Sequence, residues 1–401
     1  MKVLIADAFE EAGLQGLRAL GCEVYYEPKL DGDALGDRLA SSGAEVLVVR
    51  STKVTAAQIE RAGALGLVVR AGAGVNTIDL AAASTHAIAV SNCPAKNSIA
   101  VAELTFGLIL ALDRRIAEQT ADLKAGVWNK KEYGKAAGLS GRTLGVVGLG
   151  SIGKEVVHRA RAFDMRVVAW SRFLDDAKAS QLGVRRAESV HALAVASDIA
   201  TVHLALTRDT RGLCDAAFFG AMKSGALFVN TSRGEVVDAA ALRKAVAEKG
   251  VRAGLDVWET EPAGGTGRFE DETGTLPGVI GTHHVGASTD QAQAAIAAET
   301  VRIVRMYKAT GEVLNAVNLC ERTPATCLLS VRHRNRIGVL AHVFGILTSE
   351  GINVEKTENV IFEGAEAASA RIQLDRAPGP EGLERIKSGH PDILSVSLDL
   401  V

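Results

Sequence analysis

A glycine-rich turn between a predicted strand and a predicted helix constrains the fold of this chain more than any other feature. The apolar run Thr143–Val147 leads directly into Gly148-x-Gly150-x-x-Gly153, where an amphipathic helix begins. A lone glycine triplet is weak evidence in a chain with 41 glycines, but its place between strand and helix gives the pattern meaning. Such glycines permit a tight turn, close approach of a pyrophosphate and close helix–strand packing. The turn predicts a dinucleotide site, with cofactor contacts from Gly148, Gly150, Ser151, Ile152 and Gly153.

Short apolar strands alternate with amphipathic helices on both sides of this turn. Such alternation predicts parallel sheets with helices on both faces, and the runs fall into two units, the second larger. The length of 401 residues allows two or three domains. Strands are predicted at residues 2–6, 46–49, 67–69 and 88–90, then at 143–147, 166–170, 199–204, 226–230, 251–257 and 279–281. Helices are predicted at 35–41, 56–61, from 97 or 98 to 112, and at 291–310.

The pattern changes after a predicted linker at residues 315–324. Beyond residue 326 the apolar runs give strand, helix, strand, strand, helix, strand, the order of a ferredoxin-like βαββαβ domain. The later elements are predicted at 338–349, 359–362, 367–374, 382–387 and 393–400, and Ala263-Gly-Gly-Thr-Gly is a predicted loop. The expected fold class is therefore α/β, with two doubly wound, Rossmann-like parallel-sheet domains and a small C-terminal ferredoxin-like domain.

Composition argues against several classes of protein. The 45 Lys and Arg residues nearly balance 47 Asp and Glu residues, giving a formal net charge of −2, whereas nucleic-acid binders usually carry a basic excess. Five scattered cysteines without a Cys-x-x-Cys pair indicate neither a disulfide framework nor a metal site, so we expect a reducing cytoplasm. Early acidic residues and the lack of an apolar run of roughly 20 residues argue against a signal peptide and a membrane partner.

The end of the second strand of the glycine-rich unit bears on the choice of cofactor. In an NAD site this strand usually ends in an acid that holds the adenosine ribose, but here it ends in Ser171-Arg172. An arginine near this position accommodates the 2′-phosphate of NADP, which slightly favours NADP. Alternatively, Asp175 or Asp176 folds back and NAD is used. The prediction is NAD or NADP, with contacts from Ser171 and Arg172.

Three later segments each place polar residues at a predicted strand end, where α/β sheets put their sites. They are Phe228-Val-Asn-Thr-Ser-Arg233-Gly-Glu, Gly254-Leu-Asp256-Val-Trp-Glu-Thr-Glu261-Pro and Thr282-His-His284-Val-Gly-Ala-Ser-Thr. In this order they resemble the D-isomer-specific 2-hydroxyacid dehydrogenases, and the resemblance covers essentially the whole chain. It implies that Arg233, Glu261 and His284 form the active site.

These residue types suit the chemistry that the resemblance implies. A 2-hydroxy acid that gives up a hydride from carbon also gives up its hydroxyl proton, which His284 accepts because imidazole titrates near neutral pH. Glu261 holds the other ring nitrogen, and Arg233 grips the substrate carboxylate with two parallel hydrogen bonds. The spacing to the following glycine and serine favours His284 over the adjacent His283.

The same resemblance implies further cofactor contacts. Asp256 is expected to contact the nicotinamide amide, and Thr207 is expected to lie beside the cofactor. Thr207 ends the segment His203-Leu-Ala-Leu-Thr207, in which alanine replaces the family's usual proline. We interpret His203 as structural. The remaining cofactor contacts expected in this region are Thr231 and Ser232.

Motifs in the first unit resemble those of the D-3-phosphoglycerate dehydrogenases within this family, which oxidise 3-phosphoglycerate to 3-phosphooxypyruvate at the start of serine synthesis. The motifs are Val49-Arg50-Ser51-Thr-Lys53, Arg70-Ala-Gly-Ala-Gly74-Val-Asn76 and Asn92-Cys-Pro-Ala-Lys-Asn97. A doubly charged phosphate needs cationic partners, which Arg50 and Lys53 supply. Asn76 departs from the aspartate that is usual in the family. The implied substrate contacts are Arg50, Ser51, Gly74 and Asn97.

Two other functions stand beside this one. A glyoxylate or hydroxypyruvate reductase would act on a substrate without the phosphate. A nucleotide-sensing scaffold would bind the cofactor without turnover, as in corepressors with the same fold. Those corepressors lack a C-terminal regulatory domain, and an arginine suited to phosphate does not fit them.

The C-terminal part resembles an ACT regulatory domain. The residues that carry this resemblance are Val331-Arg-His333-Arg-Asn335-Arg-Ile-Gly338 and Gly351-Ile-Asn353-Val. His333, Asn335 and Asn353 match positions that hold serine in serine-inhibited relatives, so the resemblance implies an L-serine effector and a homotetramer. An ACT pair that binds nothing is the alternative. The expected domains are a substrate-binding domain (1–97 with 286–322), a dinucleotide-binding domain (98–285) and the ACT domain (325–401).

Overall fold

A computed structural model of the protein describes residues 1–262, 266–320 and 322–400. The chain divides into two compact units, Met1–Asn318 and Leu319–Val401. Of the loop predicted at Ala263-Gly-Gly-Thr-Gly, the first three residues lie outside the described residues. Among the helices described, none combines the length and the apolar character that crossing a membrane requires.

The first part of unit 1 is a parallel five-stranded sheet. Its strands are β1 (Lys2–Ile5), β2 (Glu23–Tyr26), β3 (Val46–Val49), β4 (Leu67–Arg70) and β5 (Ala89–Asn92), in the order β2-β1-β3-β4-β5. The central strands are Val-, Leu- and Ile-rich because helices cover both faces. Strand β2 was not predicted, since its residues are exposed or half-buried at the sheet edge. The helices are α1 (Glu11–Ala19), α2 (Gly32–Ser42), α3 (Ala56–Glu60) and α4 (Leu80–Thr85).

A long helix leads from this sheet to the next. Helix α5 (Ser98–Arg114) begins where the sequence predicts and runs two residues further. It packs against the first helix and the middle strands of the second sheet. Helices α6 (Ile116–Lys124) and α7 (Lys130–Tyr133) follow, and neither contains a buried residue.

The second sheet of unit 1 is parallel and has seven strands among the described residues. The strands are β6 (Thr143–Val147), β7 (Arg166–Trp170), β8 (Arg185–Arg186), β9 (Ile199–Val202), β10 (Leu227–Asn230), β11 (Arg252–Leu255) and β12 (Val279–Gly281). Their order is β12-β11-β10-β9-β6-β7-β8, so successive connections reverse direction between β6 and β9. Ligands of such sheets bind at this reversal, beside the carboxyl ends of the strands. The helices are α8 (Ser151–Ala162), α9 (Asp176–Gln181), α10 (Val190–Ala196), α11 (Ala216–Ala221) and α12 (Ala239–Lys249).

The last helix of unit 1 returns to the first sheet. Helix α13 (Asp290–Thr310) packs against α1. Its buried residues Ile296, Ile303 and Val304 belong to the same apolar core as Val3 and Ile5 of β1. The residues that follow β12 therefore complete the packing of a sheet built from the first 92 residues.

Unit 2 contains a separate antiparallel sheet with two helices. Its elements are β13 (Cys327–Arg334), α14 (Val339–Ser349), β14 (Val354–Ile361), β15 (Ala367–Leu374), α15 (Pro380–Ser388) and β16 (Ile393–Leu400). The sheet order is β14-β15-β13-β16. Strand β14 begins five residues before its predicted start. The prediction missed these residues because they are mostly polar and lie at an exposed edge of the sheet. The order of the elements is the one that the sequence predicts.

Candidate active site

The glycine turn lies directly after β6, at the reversal of the second sheet. Gly148 has a φ of +98°, and its N–H donates to the carbonyl oxygen of Trp170 at 2.8 Å. A Cβ at this position would collide with the backbone oxygen of His203, so the turn requires glycine. A Cβ on Gly153 would likewise collide with the carbonyl oxygen of Gly148. These glycines therefore hold strand and helix in close contact.

The space above the turn suits a pyrophosphate. A Cβ built on Gly150 meets no described atom within 4 Å, so ligand atoms can approach the backbone there. Gly150 is the N-cap of α8, and the helix's own hydrogen bonds begin with Lys154 N donating to Gly150 O at 3.0 Å. The N–H groups of Ser151, Ile152 and Gly153 are consequently free for an anion at the positive end of the helix. The chain thus fits a dinucleotide at the predicted residues.

The predicted adenosine end of this site contains an ion pair. Arg172 donates from Nη2 to Oδ2 of Asp209 at 2.9 Å, and Ser171 is half-buried beside it at the end of β7. Asp175 accepts from Lys178 N at 2.7 Å as the N-cap of α9, and Asp176 pairs with Arg186 at 3.4 Å. In the structure Asp175 and Asp176 are therefore engaged elsewhere, and the carboxylate that meets Arg172 comes from a distant loop.

That loop follows β9 and contains Thr207. The backbone N–H of Thr207 donates to Thr210 Oγ1 at 2.8 Å, and the Thr210 hydroxyl donates to Ala205 O at 2.6 Å. Thr210 therefore orders the loop from inside. At its start, His203 is buried with Nε2 at 3.0 Å from Thr201 Oγ1, and its Nδ1 has no partner among the described residues.

The buried ring of His203 predicts a pH-dependent stability. Burial lowers the pKa of His203 to about 3 from 6.5, so the folded state holds a neutral ring while the unfolded chain takes up a proton below pH 6.5. This contribution to stability is complete above pH 6.5 and is lost as the pH falls from there toward 3. Between pH 7 and 5.5, the free energy of unfolding of His203→Gln should therefore fall by about 1 kcal/mol less than that of wild type. Urea unfolding at the two pH values measures this difference.

His158→Gln on the exposed face of α8 is the matched control, because it removes a histidine that is solvated in both states. It should keep the wild-type pH dependence. If wild type and His203→Gln lost the same free energy of unfolding between pH 7 and 5.5, that result would contradict a neutral buried ring.

Glu261 and His284 form the central pair of the candidate active site. Oε2 of Glu261 lies 2.7 Å from Nδ1 of His284, and Oε1 accepts from Trp258 N at 3.0 Å. Burial raises the pKa of Glu261, but the hydrogen bonds from His284 and Trp258 outweigh it and leave the pKa below its usual value. Because Glu261 is then an acceptor only, Nδ1 of His284 carries the proton and Nε2 is free to accept one. The neighbouring His283 is exposed.

Asp256 holds the backbone turn that carries His284. Its buried carboxylate accepts from Thr282 Oγ1 at 2.6 Å, Val285 N at 2.9 Å and Gly286 N at 2.9 Å. His284 itself has a φ of +53°, and its N–H donates to Asp256 O at 2.8 Å. A non-glycine residue in this conformation needs support from its surroundings. Asp256 supplies that support, a role that the expected nicotinamide contact does not include.

Arg233 follows β10 on a turn that Asn230 organises. Oδ1 of Asn230 accepts from Ser232 N at 2.9 Å and from Ser232 Oγ at 2.7 Å, while its Nδ2 donates to Arg233 O at 2.8 Å. Thr231 is buried with its hydroxyl 3.0 Å from that of Thr105. The side chains of Thr231 and Ser232 thus have partners within the protein, and their predicted cofactor contacts stay predictions.

Three guanidinium groups lie close together near this turn. Burial, together with the positive charges of Arg233 and Arg50, lowers the pKa of Arg70 to about 10. Nε of Arg70 is buried with no hydrogen-bond partner among the described residues. Arg50 donates from Nη2 to Ser288 Oγ at 3.4 Å. Arginines that repel one another in this way leave hydrogen-bonding capacity for an anion.

Asp7 orders the loop that carries Arg50. Its Oδ2 accepts from the backbone N–H groups of Arg50 at 2.6 Å, Ser51 at 3.0 Å and Thr52 at 3.0 Å, and its Oδ1 accepts from Ser51 Oγ at 3.0 Å. Burial raises the pKa of Asp7, but these hydrogen bonds outweigh it and lower the pKa below the usual value. The hydroxyl of Ser51 is therefore engaged with Asp7.

The other two predicted substrate residues lie at the same edge. A Cβ on Gly74 would come within 2.5 Å of Nη2 of Arg233, so glycine leaves room for the guanidinium. Asn97 is half-buried at the N-cap of α5, and its side chain makes no capping hydrogen bond within the described part of the chain. Its amide is thus available to a ligand.

The sequence analysis did not select Asp7, Arg70, Asn230 or Asp209. Asp7 and Asn230 act through backbone turns, and no spacing in the sequence shows which N–H groups a carboxylate or amide will meet. Arg70 stands at the end of β4, so the rule that selected Arg233 applied equally to it. Asp209 lies in a polar loop whose approach to Arg172 depends on the folded sheet.

The predicted effector residues all lie in unit 2. His333 is buried, with Nδ1 2.8 Å from Arg334 O and Nε2 3.2 Å from Asn359 Oδ1. Asn335 donates from Nδ2 to Ala365 O at 3.0 Å, and exposed Asn353 donates from Nδ2 to Glu355 Oε1 at 2.7 Å. The side chain of Asn353 is the most accessible of the three.

Comparison with known proteins places the chain in a family. Residues 106–302 match the D-isomer specific 2-hydroxyacid dehydrogenase NAD binding domain. The chain is 40% identical over 324 residues to a D-3-phosphoglycerate dehydrogenase of Methanocaldococcus jannaschii, and the match covers 80% of this chain and 60% of that protein. It is 41% identical over 270 residues to a hydroxypyruvate reductase of Thermotoga maritima, and this match covers 67% of this chain and 85% of that protein.

A solved structure agrees with these sequence matches. The TT0316 protein of Thermus thermophilus superposes with a TM-score of 0.71 at 31% identity, over 79% of this chain and all of that one. The chain spans about 60% of the length of several curated phosphoglycerate dehydrogenases that it matches. Since the Thermotoga protein is matched over most of its own length, the chain belongs to the D-isomer-specific 2-hydroxyacid dehydrogenases, with an NAD binding domain within residues 106–302.

Proposed function

We propose that the protein is an NAD-dependent dehydrogenase that oxidises 3-phosphoglycerate to 3-phosphooxypyruvate. The observation that carries the proposal is the group of three arginines, Arg50, Arg70 and Arg233, at the edge where the Glu261–His284 pair lies. A substrate with one carboxylate occupies one guanidinium fork, whereas a phosphate and a carboxylate together occupy more than one. Similarity to phosphoglycerate dehydrogenases supports the same substrate.

The protein's own residues divide the work of such an oxidation. Arg233 binds and orients the carboxylate of the substrate and polarises the forming carbonyl. Nε2 of His284 accepts the hydroxyl proton, and Glu261 stabilises the imidazolium that results. Arg50 and Arg70 hold the phosphate away from the reacting carbon. The nicotinamide, when bound, accepts the hydride.

The domain division that we propose follows the predicted one. Residues 1–97 and 286–322 form a substrate-binding domain, which the packing of α13 against α1 supports. Residues 98–285 form a dinucleotide-binding domain, supported by the packing of α5 on α8, β10 and β11. The catalytic residues then belong to the dinucleotide-binding domain, and Arg50, Arg70 and Gly74 to the other.

The second candidate function is that of a glyoxylate or hydroxypyruvate reductase. The match to the Thermotoga protein favours it, because the chain covers 85% of that relative. Initial rates with 3-phosphoglycerate, hydroxypyruvate, glyoxylate and 2-oxoglutarate, each with NAD and NADP forms, separate the two. The proposal requires the highest kcat/KM for the phosphorylated substrate. A scaffold would bind cofactor and turn over none of them.

For unit 2 we propose an ACT domain of ferredoxin-like fold that binds L-serine. The βαββαβ order and the antiparallel sheet support the fold. We further propose a homotetramer. The edge strand β14 has unpaired backbone groups for a second copy, and exposed Ile116, Leu123 and Trp128 around α6 offer a separate apolar contact. Two different two-fold contacts of this kind give a closed tetramer.

A serine effector predicts a regulatory variant. Asn353→Ala should abolish inhibition by L-serine while uninhibited rates stay nearly unchanged, because Asn353 lies in unit 2 and the catalytic residues in unit 1. Coupling of about 1–3 kcal/mol between the sites is enough for useful inhibition. Initial rates against serine concentration measure the effect, with Gln181→Ala as the control amide substitution, because Gln181 is an exposed residue of unit 1. Calorimetry that shows no serine binding to wild type at millimolar concentration would remove serine as the effector.

We also propose a reducing compartment, the cytoplasm. All five cysteines are free thiols in the structure, and Cys22, Cys93, Cys214 and Cys327 are buried. Free buried thiols of this kind are typical of proteins from reducing compartments.

A further inference from the structure

The ion pair at the adenosine end of the dinucleotide site joins two loops. Arg172 follows β7, and Asp209 lies in the loop after β9, 37 residues further along the chain. Their side chains are 56% and 68% exposed, so both remain accessible to a ligand. The contact is a direct hydrogen bond of 2.9 Å between charged groups.

The position of Asp209 is set by its loop. Thr210 accepts from Thr207 N and donates to Ala205 O, and Arg211 N donates to Thr207 O at 3.1 Å. These hydrogen bonds close a turn around Asp209. The carboxylate is therefore presented by an ordered turn next to Arg172.

The other carboxylates of this region are committed elsewhere. Asp175 caps α9 and also pairs with Lys178 Nζ at 3.1 Å, while Asp176 pairs with Arg186. Arg172 thus has one carboxylate partner among the described residues, and that partner comes from outside the β7–α9 segment.

We propose that Asp209 is a specificity-determining residue that favours NAD over NADP. Its carboxylate occupies the guanidinium that a 2′-phosphate would need. A phosphate monoester carries about −1.5 to −2 charges near pH 7, so the 2′-phosphate of NADP is repelled by the same carboxylate. NAD brings only a hydroxyl to this end and meets no such repulsion. The pair therefore reverses the slight preference for NADP that Arg172 alone predicts.

The expected size of the effect is modest because both groups are exposed. Exposed ion pairs are weak in water and are screened by salt. We expect Asp209→Asn to tighten binding of a 2′-phosphate about three- to tenfold at low ionic strength. Binding of an adenosine ligand without that phosphate should change less than twofold. This inference rests on the dinucleotide site and is independent of the substrate that we propose.

Binding of 2′,5′-ADP and 5′-AMP, measured by calorimetry, tests the inference without turnover. The variants are Asp209→Asn, Arg172→Ala and the double variant, with Asp176→Asn as the matched loss of one negative charge. Asp209→Asn should bind 2′,5′-ADP three- to tenfold more tightly than wild type, and Arg172→Ala about tenfold more weakly. In the Arg172→Ala background, the gain from Asp209→Asn should shrink, since the guanidinium is gone.

The outcomes separate this inference from the broader assignment. If Asp209→Asn left the ratio of the 2′,5′-ADP and 5′-AMP affinities unchanged, the role of Asp209 would be overturned. Binding of 5′-AMP in that experiment would still support the dinucleotide site. An equal gain in Asp176→Asn would also overturn it, because net charge rather than the pair would then set the preference. If wild type bound neither nucleotide, the inference and the dinucleotide site would fall together.

Discussion

His284→Asn is expected to lower kcat at least ~10²-fold while cofactor binding stays intact, since this is the usual scale of lost acid–base catalysis. Asparagine lacks the ring nitrogen that accepts the hydroxyl proton. Asparagine can adopt the backbone conformation of this position, because His284 has a φ of +53° and asparagine is enriched in that left-handed region. The loss therefore reports chemistry and not a misfolded turn.

His283→Asn is the matched control, since it makes the same change one residue earlier on an exposed side chain. It should retain near-wild-type kcat. Fluorescence titration with NADH checks that both variants bind cofactor equally. Wild-type turnover in His284→Asn, or an equal loss in His283→Asn, would remove His284 from the role of base.

The sequence predicted the architecture well where apolar runs are long. The largely buried strands β3, β6 and β7 have the predicted bounds, because both their faces need apolar side chains. Strands β2 and β8 were not predicted. Both lie at sheet edges, and β8 has only two residues, both exposed arginines. Edge strands need little apolar surface, so their sequence carries little signal.

The candidate site was predictable at its strand ends and not beyond them. Arg233 and His284 follow predicted strands within motifs of the family, and the resemblance assigned them to the active site. The structure brings His284 to Glu261. The contact between Arg50 and Ser288 joins residues 238 apart and depends on how α13 returns to the first sheet. The carboxylates of Asp7 and Asp256 accept mainly from backbone N–H groups. The sequence therefore showed no role for Asp7, and for Asp256 only the nicotinamide contact that the resemblance implies.

Arg233→Lys should lower kcat/KM for 3-phosphoglycerate about 10²-fold and leave NADH binding unchanged. A guanidinium offers two parallel donors to a carboxylate, while an ammonium acts as a point charge, so one charged hydrogen bond is lost. Such a bond is worth roughly 1.5–3 kcal/mol, which corresponds to a factor of about 10 to 150. The space that Gly74 leaves for the guanidinium would also be poorly filled by lysine.

Arg243→Lys on α12 is the matched control, because Arg243 pairs with the exposed Glu272 at 3.4 Å and has no place in the proposed site. It should retain wild-type kcat/KM. The loss in Arg233→Lys should appear in KM as well as kcat, because the same two hydrogen bonds bind the substrate and orient its reacting carbon. A variant that kept kcat/KM within threefold of wild type would show that another group holds the carboxylate. Arg70 is then the next candidate, since its Nε has no partner among the described residues.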